Sequence, residues 1–201
     1  MKIKSLMVSN PITITEKASV SDAVEVMKKN RIRHLPVVSN GNILKGFVTL
    51  ADLKVGLIPA LMQDISLSDL IVKNPLTVEP EDDIEKVAQI IYKHKISGMP
   101  VVKNGKLVGI ITETDILRTF IEMMGFLEAT SRIDVVIGDK AGSFKKALQI
   151  IYDINVGVVS VGIMAQDSKK KIYYFRLTPC DIMSVKNALE KGGFEVVSVM
   201  E

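Results

Sequence analysis

The segment Gly109-Ile110-Ile111-Thr112-Glu113-Thr114-Asp115 decides the fold, because the chain carries a near-copy of it upstream, Gly46-Phe47-Val48-Thr49-Leu50-Ala51-Asp52. Each copy predicts a buried strand that runs into the start of a helix. A hydroxyl and a carboxylate lie three residues apart at that junction, which is the spacing of an ordinary helix cap. The glycine before each threonine also suggests that a ligand approaches the backbone closely.

The same junction suits a nucleotide. Free N–H groups at a helix N-terminus attract phosphate, and a carboxylate beside them can accept hydrogen bonds from both hydroxyls of a ribose. Capping and binding are compatible. We therefore predict that the two junctions hold a nucleotide between them.

Two further pairs of segments show that the chain contains an internal repeat. Asn10-Pro11-Ile12-Thr13-Ile14 returns 64 residues later as Asn74-Pro75-Leu76-Thr77-Val78. Ile32-Arg33-His34-Leu35-Pro36-Val37-Val38 returns at the same offset as Ile96-Ser97-Gly98-Met99-Pro100-Val101-Val102. Gly46 and Gly109 are 63 apart, so one residue has been lost between these marks. Two copies predict a pseudo-twofold pair of like units rather than a solenoid.

Each repeat predicts the same elements in the same order. A short helix (3–8; 67–72) precedes a short β run (12–14; 76–78), an amphipathic helix, two strands and a closing helix. Pro11 and Pro75 predict an extended residue before them, and Ser19 with Asp22 has the spacing of a capping box. Asn-Gly at 40–41 and 104–105 predicts hairpin turns, and Pro59 should end the first closing helix.

The tandem pattern over residues 1–126 resembles a pair of CBS domains, also called a Bateman module. The resemblance implies an adenosine-type ligand, AMP, ADP, ATP or S-adenosylmethionine, in clefts between the two units. It implies that Asp52 and Asp115 hold ribose hydroxyls, with Thr49 and Thr112 close to ribose or phosphate. It also implies that the residues before the second strand line the base pocket and approach the phosphates: Ile32, Arg33, His34, Ile96, Ser97 and Gly98.

Basic residues differ between the two repeats. Arg33 and His34 stand where the second repeat has neutral residues, and Arg118 is a further candidate phosphate donor. These three cations favour a phosphorylated ligand over a sulfonium one. Two interpretations of His34 stay open, a ligand contact and a partly buried polar residue at a strand start. His94 is expected to be solvated.

The C-terminal third predicts the order β-α-β-β-α-β, which is that of a ferredoxin-like sheet. Its first loop, 138–143, resembles the effector loop of ACT domains, which implies an amino-acid ligand near Asp139, Ala141, Gly142 and Ser143. Ala141 stands where that family often has proline. The alternative is that this domain only dimerises. Thr178-Pro179-Cys180-Asp181 repeats the Thr-x-x-Asp spacing and is expected to cap a helix and nothing more.

Composition excludes several classes of function. The net charge is only +3, aromatic residues make up 5% and tryptophan is absent, so little is available for stacking single-stranded nucleic acid. No apolar run is long enough to span a membrane, and the N-terminus lacks the apolar run of a signal peptide. One cysteine excludes an intrachain disulfide. These features predict a cytoplasmic protein.

The chain lacks a P-loop, a nucleophile–base set and a metal-ligand cluster. We therefore expect no catalytic residue, no metal and no cofactor. The predicted fold is mixed α/β, with CBS units at 1–63 and 64–126 and an ACT-like domain at 132–201. The architecture resembles that of acetoin-utilisation regulatory proteins, which implies a homodimeric adenine-nucleotide sensor that regulates another protein. The alternative is a dimerising scaffold without ligand sensing.

Overall fold

The computed structural model describes residues 1–56, 66–128, 130–167 and 170–201. It divides into two compact units, a first unit Met1–Leu117 and a second unit Arg118–Glu201. The predicted mixed α/β class is confirmed, since each unit has its own antiparallel sheet. Within the described ranges, no helix is long and apolar enough to cross a membrane.

The first unit contains both repeats, and its described elements follow the predicted order. They are a 3₁₀ turn Ile3–Ser5, β1 Val8–Ser9, α1 Val20–Asn30, β2 His34–Ser39, a 3₁₀ turn Asn40–Asn42, β3 Ile43–Thr49, α2 Leu50–Gly56, α3 Leu67–Leu70, β4 Val72–Lys73, α4 Ile84–His94, β5 Gly98–Lys103, β6 Lys106–Thr112 and α5 Glu113–Met123, which ends in the second unit.

The amphipathic helix α1 begins where its capping box predicts. The Asp22 backbone N–H donates to Ser19 Oγ at 3.1 Å, and the Ser19 N–H donates to Asp22 Oδ2 at 2.9 Å. The helix then buries Ala23, Val24 and Met27 against β2 and β3. The spacing of apolar residues therefore placed this helix correctly.

The two hairpin turns differ by one residue. In the second repeat, Asn104 and Gly105 have φ of 52° and 76°, as an Asn-Gly turn requires. In the first repeat the positive φ values fall on Gly41 and Asn42, at 75° and 65°, inside a 3₁₀ turn. The longer turn explains why the repeat offset falls from 64 to 63. The predicted Asn40-Gly41 turn is thus displaced by one residue.

The opening segments of the two repeats are exchanged. β1 pairs with β6 of the second repeat, and β4 pairs with β3 of the first. Ile3 is completely buried in the core that holds Ile84, while Leu67 and Ile71 belong to the core that holds Met27. The domain bounds 1–63 and 64–126 stay a prediction. Their boundary and Pro59 lie outside the described residues.

Gly46 and Gly109 admit neighbouring strands, so the predicted approach of a ligand to them is wrong. A Cβ on Gly46 would collide with Ile71 Cγ2 and lie 3.1 Å from the Val72 carbonyl oxygen. A Cβ on Gly109 would lie 2.5 Å from Met7 Sδ and 3.1 Å from the Val8 carbonyl oxygen. Both glycines are needed because β4 and β1 pass directly over them.

The Asn-Pro segments also differ from expectation. The residues before the prolines, Asn10 and Asn74, have φ of 50° and 54° rather than an extended conformation. Asparagine tolerates this left-handed region better than most residues. The predicted β runs shrink to two isolated parallel bridges, Ile14 to Val37 and Val78 to Val101. Each segment therefore turns sharply and touches the sheet at one point.

The second unit confirms the predicted β-α-β-β-α-β order. Its sheet has the order β10-β7-β9-β8 and is antiparallel throughout. Ile133 and Val135 of β7 and Phe175 of β9 pack in a core that both helices of the unit share. The elements are β7 Ser131–Ile137, α6 Ser143–Asp153, β8 Val158–Asp167, β9 Lys170–Leu177, α7 Ile182–Lys191 and β10 Glu195–Met200.

The third Thr-x-x-Asp sequence is not a capping box. Asp181 itself caps α7, accepting from the backbone N–H groups of Met183 and Ser184. Thr178 Oγ1 instead accepts from the Gly157 N–H at 3.1 Å. The expectation that Thr178 caps this helix is wrong. Pro179 has no N–H to donate at that turn, and the sequence spacing alone did not reveal the difference.

Candidate functional site

The two Thr-x-x-Asp junctions have nearly the same geometry. The Thr49 N–H and Oγ1–H both donate to Asp52 Oδ2, at 2.8 and 2.7 Å, and the Asp52 N–H donates to Thr49 Oγ1 at 3.3 Å. The corresponding distances for Thr112 and Asp115 are 2.9, 2.6 and 3.3 Å. The predicted caps are therefore present, and each fixes the orientation of its carboxylate.

Two clefts of the first unit contain these carboxylates. We call the one with Asp115 cleft A, with a volume of about 290 Å³, and the one with Asp52 cleft B, with about 500 Å³. Cleft A is lined by Val8, Asn10, Pro11, Ile12, Ile32, Arg33, His34, Ile110, Thr112, Thr114 and Asp115. Cleft B is lined by Phe47, Thr49, Ala51, Asp52, Val72, Asn74, Pro75, Leu76, His94, Lys95, Ile96, Ser97 and Gly98.

Each cleft combines the strand start of one repeat with the Thr-x-x-Asp junction of the other. In cleft A the first repeat supplies Ile32, Arg33 and His34 and the second supplies Thr112 and Asp115. In cleft B the assignment is reversed. The structure thus brings together every predicted nucleotide-site residue except Arg118. Arg118 lies on α5 at the start of the second unit and is not among the lining residues of either cleft.

Sequence reasoning missed the Asn-Pro segments and the end of α4. Residues 10–12 line cleft A and residues 74–76 line cleft B. His94, expected to be solvated, lines cleft B together with Lys95. The signal for the Asn-Pro segments was available, because they repeat at the same 64-residue offset as the strand starts.

The added residues alter the charge balance of the clefts. Cleft A has Arg33 beside the carboxylate of Asp115, as the sequence indicated. Cleft B has Lys95 beside Asp52, although the residues after Lys95 are neutral. Lys95 ends α4 with φ of 55°, and its ammonium lies 4.4 Å from the centroid of the Tyr92 ring. Both clefts therefore pair a carboxylate with a cation, which suits a ligand that carries both ribose and phosphate.

His34 links the two clefts. Its Nε2 lies 2.7 Å from Ser97 Oγ, a hydrogen bond between a residue of cleft A and one of cleft B. The ring also stacks on Phe47, with 5.9 Å between centroids. Burial lowers the pKa of His34 and Arg33 adds to this, against smaller opposing effects of Glu113, Asp115 and Asp52. His34 is thus both partly buried and part of a cleft, so its two interpretations are compatible.

The family follows from comparison with known domains. The model of the CBS domain matches this chain twice, over residues 3–57 and 67–122, which is more than half of its length. This chain belongs to the CBS-domain family. Clefts A and B are therefore clefts of a CBS pair. The two matches coincide with the two repeats.

Curated relatives share the CBS pair but are much longer proteins. The chain is 35% identical to homoserine O-acetyltransferase from Methanohalobium evestigatum over 117 residues, which is 58% of this chain and 23% of that protein. It is 32% identical to L-aspartate semialdehyde sulfurtransferase from Methanocaldococcus jannaschii over 120 residues, with 59% and 23% covered. The chain thus spans about a quarter of the length of these relatives.

Solved CBS pairs resemble the first unit in structure. The CBS pair of protein MJ0100, in complex with 5′-methylthioadenosine and S-adenosyl-L-methionine, has a TM-score of 0.56 and 30% identity, over 60% of this chain and 95% of that one. A Vibrio cholerae protein assigned to acetoin utilization (AcuB) gives 0.56 and 29%, over 64% and 96%. CBSX2 of Arabidopsis thaliana in complex with AMP gives 0.54 and 26%, over 60% and 96%.

Proposed function

We propose that this chain is a non-catalytic regulatory protein whose CBS pair binds an adenine nucleotide in clefts A and B. The observation that carries the proposal is the composition of each cleft, in which the oriented carboxylate of one repeat faces the strand start of the other. Similar CBS pairs have been solved with AMP and with S-adenosylmethionine. These complexes support an adenosine-type ligand.

Each side chain has a role that follows from its chemistry. Asp52 and Asp115 accept hydrogen bonds from ribose hydroxyls, as acidic residues do in dinucleotide-binding folds. Thr49 and Thr112 hold these carboxylates in place through the caps. The cations then neutralise the phosphate. For this reason AMP, ADP or ATP suits the clefts better than S-adenosylmethionine.

Volume favours cleft B as the first site to fill. Small-molecule pockets commonly have volumes of roughly 300–1,000 Å³. Cleft B, at about 500 Å³, lies within this range, and cleft A, at about 290 Å³, lies at its lower limit. Cleft A also contains the His34–Ser97 hydrogen bond on its side toward cleft B. A ligand in cleft B that displaces Ser97 would release His34 and change cleft A.

Arg118 remains a candidate phosphate donor of the same protein. It follows Asp115 by three residues on α5, so the two side chains share one helix face. Arg118→Gln should weaken binding of ATP more than that of adenosine if the guanidinium reaches a phosphate. Equal effects on both ligands would remove Arg118 from the site.

We further propose that the second unit is an ACT domain, acting in a cytoplasmic homodimer that regulates an unidentified protein. Its element order and the loop before α6 support this. Gly142 caps α6 with φ of 87°, and the Ser143 N–H donates to the Lys140 carbonyl at 3.1 Å. The Asp139 carboxylate forms an ion pair with Lys171 at 2.8 Å. This loop, with Ala141, either binds an amino-acid effector or serves dimerisation alone.

Thermal unfolding with AMP, ADP, ATP and S-adenosylmethionine tests the nucleotide site. A ligand at ~100 times its Kd stabilises the folded protein by about 2.7 kcal/mol, which raises Tm by several degrees at roughly 2–4 °C per kcal/mol. Asp52→Ala combined with Asp115→Ala should abolish the shift. Binding equal to that of the unchanged protein in this double variant would refute the site.

The chain supplies a matched control for the loss of a cap. Asp22 forms a capping box with Ser19 of the same kind as those of Asp52 and Asp115, yet it is absent from the lining of both clefts. Asp22→Ala should cost about 1 kcal/mol of stability and leave the nucleotide shift unchanged. If no adenine ligand shifts Tm in any of these proteins, the first unit acts instead as a scaffold for a partner protein.

A further inference from the structure

The second unit contains a separate cavity of about 340 Å³, which we call the Arg176 cavity. Arg132 and Arg176 line it on adjacent strands. Because side chains alternate along a strand, both lie on the sheet face opposite to the core residues Ile133 and Phe175, which pack with the helices. The cavity shares no residue with clefts A and B or with the loop 138–143.

The two arginines of the cavity are in different states. Arg132 donates from Nε to Asp134 Oδ1 at 2.7 Å and from Nη2 to Asp134 Oδ2 at 2.6 Å. This bidentate pair compensates its charge. Arg176 donates from Nη1 to the neutral hydroxyl of Thr130 at 2.7 Å, and its guanidinium carbon lies 4.7 Å from the centroid of Phe126. Among the described residues, no carboxylate forms an ion pair with Arg176.

The guanidinium of Arg176 also has unused hydrogen-bonding capacity. Its Nε is buried and has no hydrogen-bond partner among the described residues. A buried donor without a partner is costly, and native proteins rarely retain one without a reason. The cavity therefore offers one cation whose charge and donors the protein itself does not satisfy.

The rest of the cavity wall is largely apolar. Met124, Phe126, Ile163 and Met164 contribute to it. The side chains of Ile163 and Met164 are more than half exposed, which is unusual for residues of their size and polarity outside a binding surface. Gly162 leaves the centre of the wall open, since a Cβ there would lie 3.1 Å from Met124 Cε.

We propose that the Arg176 cavity binds a small monocarboxylate with an apolar body. The carboxylate pairs with the guanidinium of Arg176, and the apolar body packs on the methionine and isoleucine side chains. A free amino acid fits less well, because its ammonium needs an acceptor and both oxygens of Asp134 are already taken by Arg132. A phosphate ester fits less well, because only one cation of the wall is uncompensated.

Titration of the full chain with hexanoate, hexanamide and hexylamine tests this assignment. The ¹³C-methyl NMR signals of Met124 and Met164 report on the cavity, and calorimetry gives the affinity. Hexanoate should shift both signals, and hexanamide should bind roughly ten- to a hundredfold more weakly, the loss of one charge-assisted hydrogen bond. Hexanamide or hexylamine binding as tightly as hexanoate would overturn the proposal.

Variants of the cavity separate ligand binding from folding. Arg176→Gln should weaken hexanoate binding to the level of hexanamide. Lys191→Gln removes an exposed cation of the same unit that does not line the cavity, and should change nothing. Gly162→Val should block the cavity, and flexible Met124 can move aside to keep the fold. Unchanged hexanoate binding in Arg176→Gln or Gly162→Val would refute the assignment.

Two further measurements remove the remaining explanations. The Asp52→Ala, Asp115→Ala double variant should bind hexanoate normally, which makes this proposal independent of the nucleotide site. Sedimentation velocity with and without hexanoate examines whether this face is instead covered by a second copy of the chain. If Gly162→Val dissociates an oligomer and hexanoate shifts neither methionine signal, the face is an interface and the proposal fails.

Discussion

Alanine substitutions at the two repeat glycines should have unequal effects, although the glycines occupy equivalent positions. In both cases the new methyl group meets a strand carbonyl oxygen at 3.1 Å. At Gly46 it also collides with Ile71, which is β-branched, stiff about χ1 and only 9% exposed. At Gly109 the nearest atom is the sulfur of Met7 at 2.5 Å, the end of a flexible and less buried side chain.

These contacts set the expected magnitudes. Overpacking a well-packed core costs roughly 1–3 kcal/mol, while replacing a strand glycine by alanine regains about 0.5–1 kcal/mol of conformational entropy. Gly46→Ala should therefore destabilise the first unit by about 1–2 kcal/mol. Gly109→Ala should change its stability by less than about 1 kcal/mol, because Met7 can move away.

Hydrogen exchange during urea unfolding measures the two effects separately. Peptides from the β2–β3 and β5–β6 hairpins report on the first and second repeats, which avoids a global transition that mixes the two compact units of the chain. AMP binding is measured on the same samples. Equal destabilisation by both substitutions would refute the packing explanation. So would a stable Gly46→Ala protein with weakened AMP binding, since that result would mean that the ligand needs the open backbone.

Three other perturbations have defined outcomes. Ile3→Ala should cost about 2–5 kcal/mol, because Ile3 is completely buried, and hydrogen exchange should show the loss in the core of the second repeat rather than of the first. Lowering the pH from 6.5 toward the depressed pKa of His34 should reduce stability, since the unfolded chain then binds more protons than the folded one; His34→Gln should flatten this part of a Tm–pH curve. Asp181→Ala should cost about 1 kcal/mol as the loss of a cap, and Thr178→Val should cost a similar amount through the unpaired Gly157 N–H, with two-dimensional NMR locating the second change at Gly157 and not in α7.

The candidate site was largely predictable because its chemistry lies in short repeated motifs. The Thr-x-x-Asp spacing places hydroxyl and carboxylate on one turn of backbone, and the repeat identifies the partner segment. What the motifs did not show is which junction faces which strand start. That pairing depends on how the two repeats associate, a property of the packed pair and not of either sequence alone. His94 was misplaced for the same reason, because the end of α4 lines the cleft only through the other repeat.

The less successful predictions share a second cause, which is that one local pattern serves two structural purposes. A glycine in a strand admits either a ligand or another backbone, and the sequence around Gly46 is the same in both cases. Thr178 and Asp181 have capping spacing, yet the aspartate takes the cap position itself. Asn10 overrides the preference that proline imposes on the residue before it. Only long-range contacts distinguish these outcomes.

The exchange of opening segments makes the repeat pair an intramolecular domain swap. Cutting the chain between the repeats would give each half a core that lacks its own completing segment, since Ile3 belongs with the second core and Leu67 with the first. A half of this kind could regain a complete core only from another copy of itself, by reciprocal donation across a twofold axis. A gene duplication that fused two such swapped copies would produce the interleaved arrangement seen here in a single step. The same logic defines a practical rule for engineering, in which the two halves must be recombined or truncated as one cooperative block.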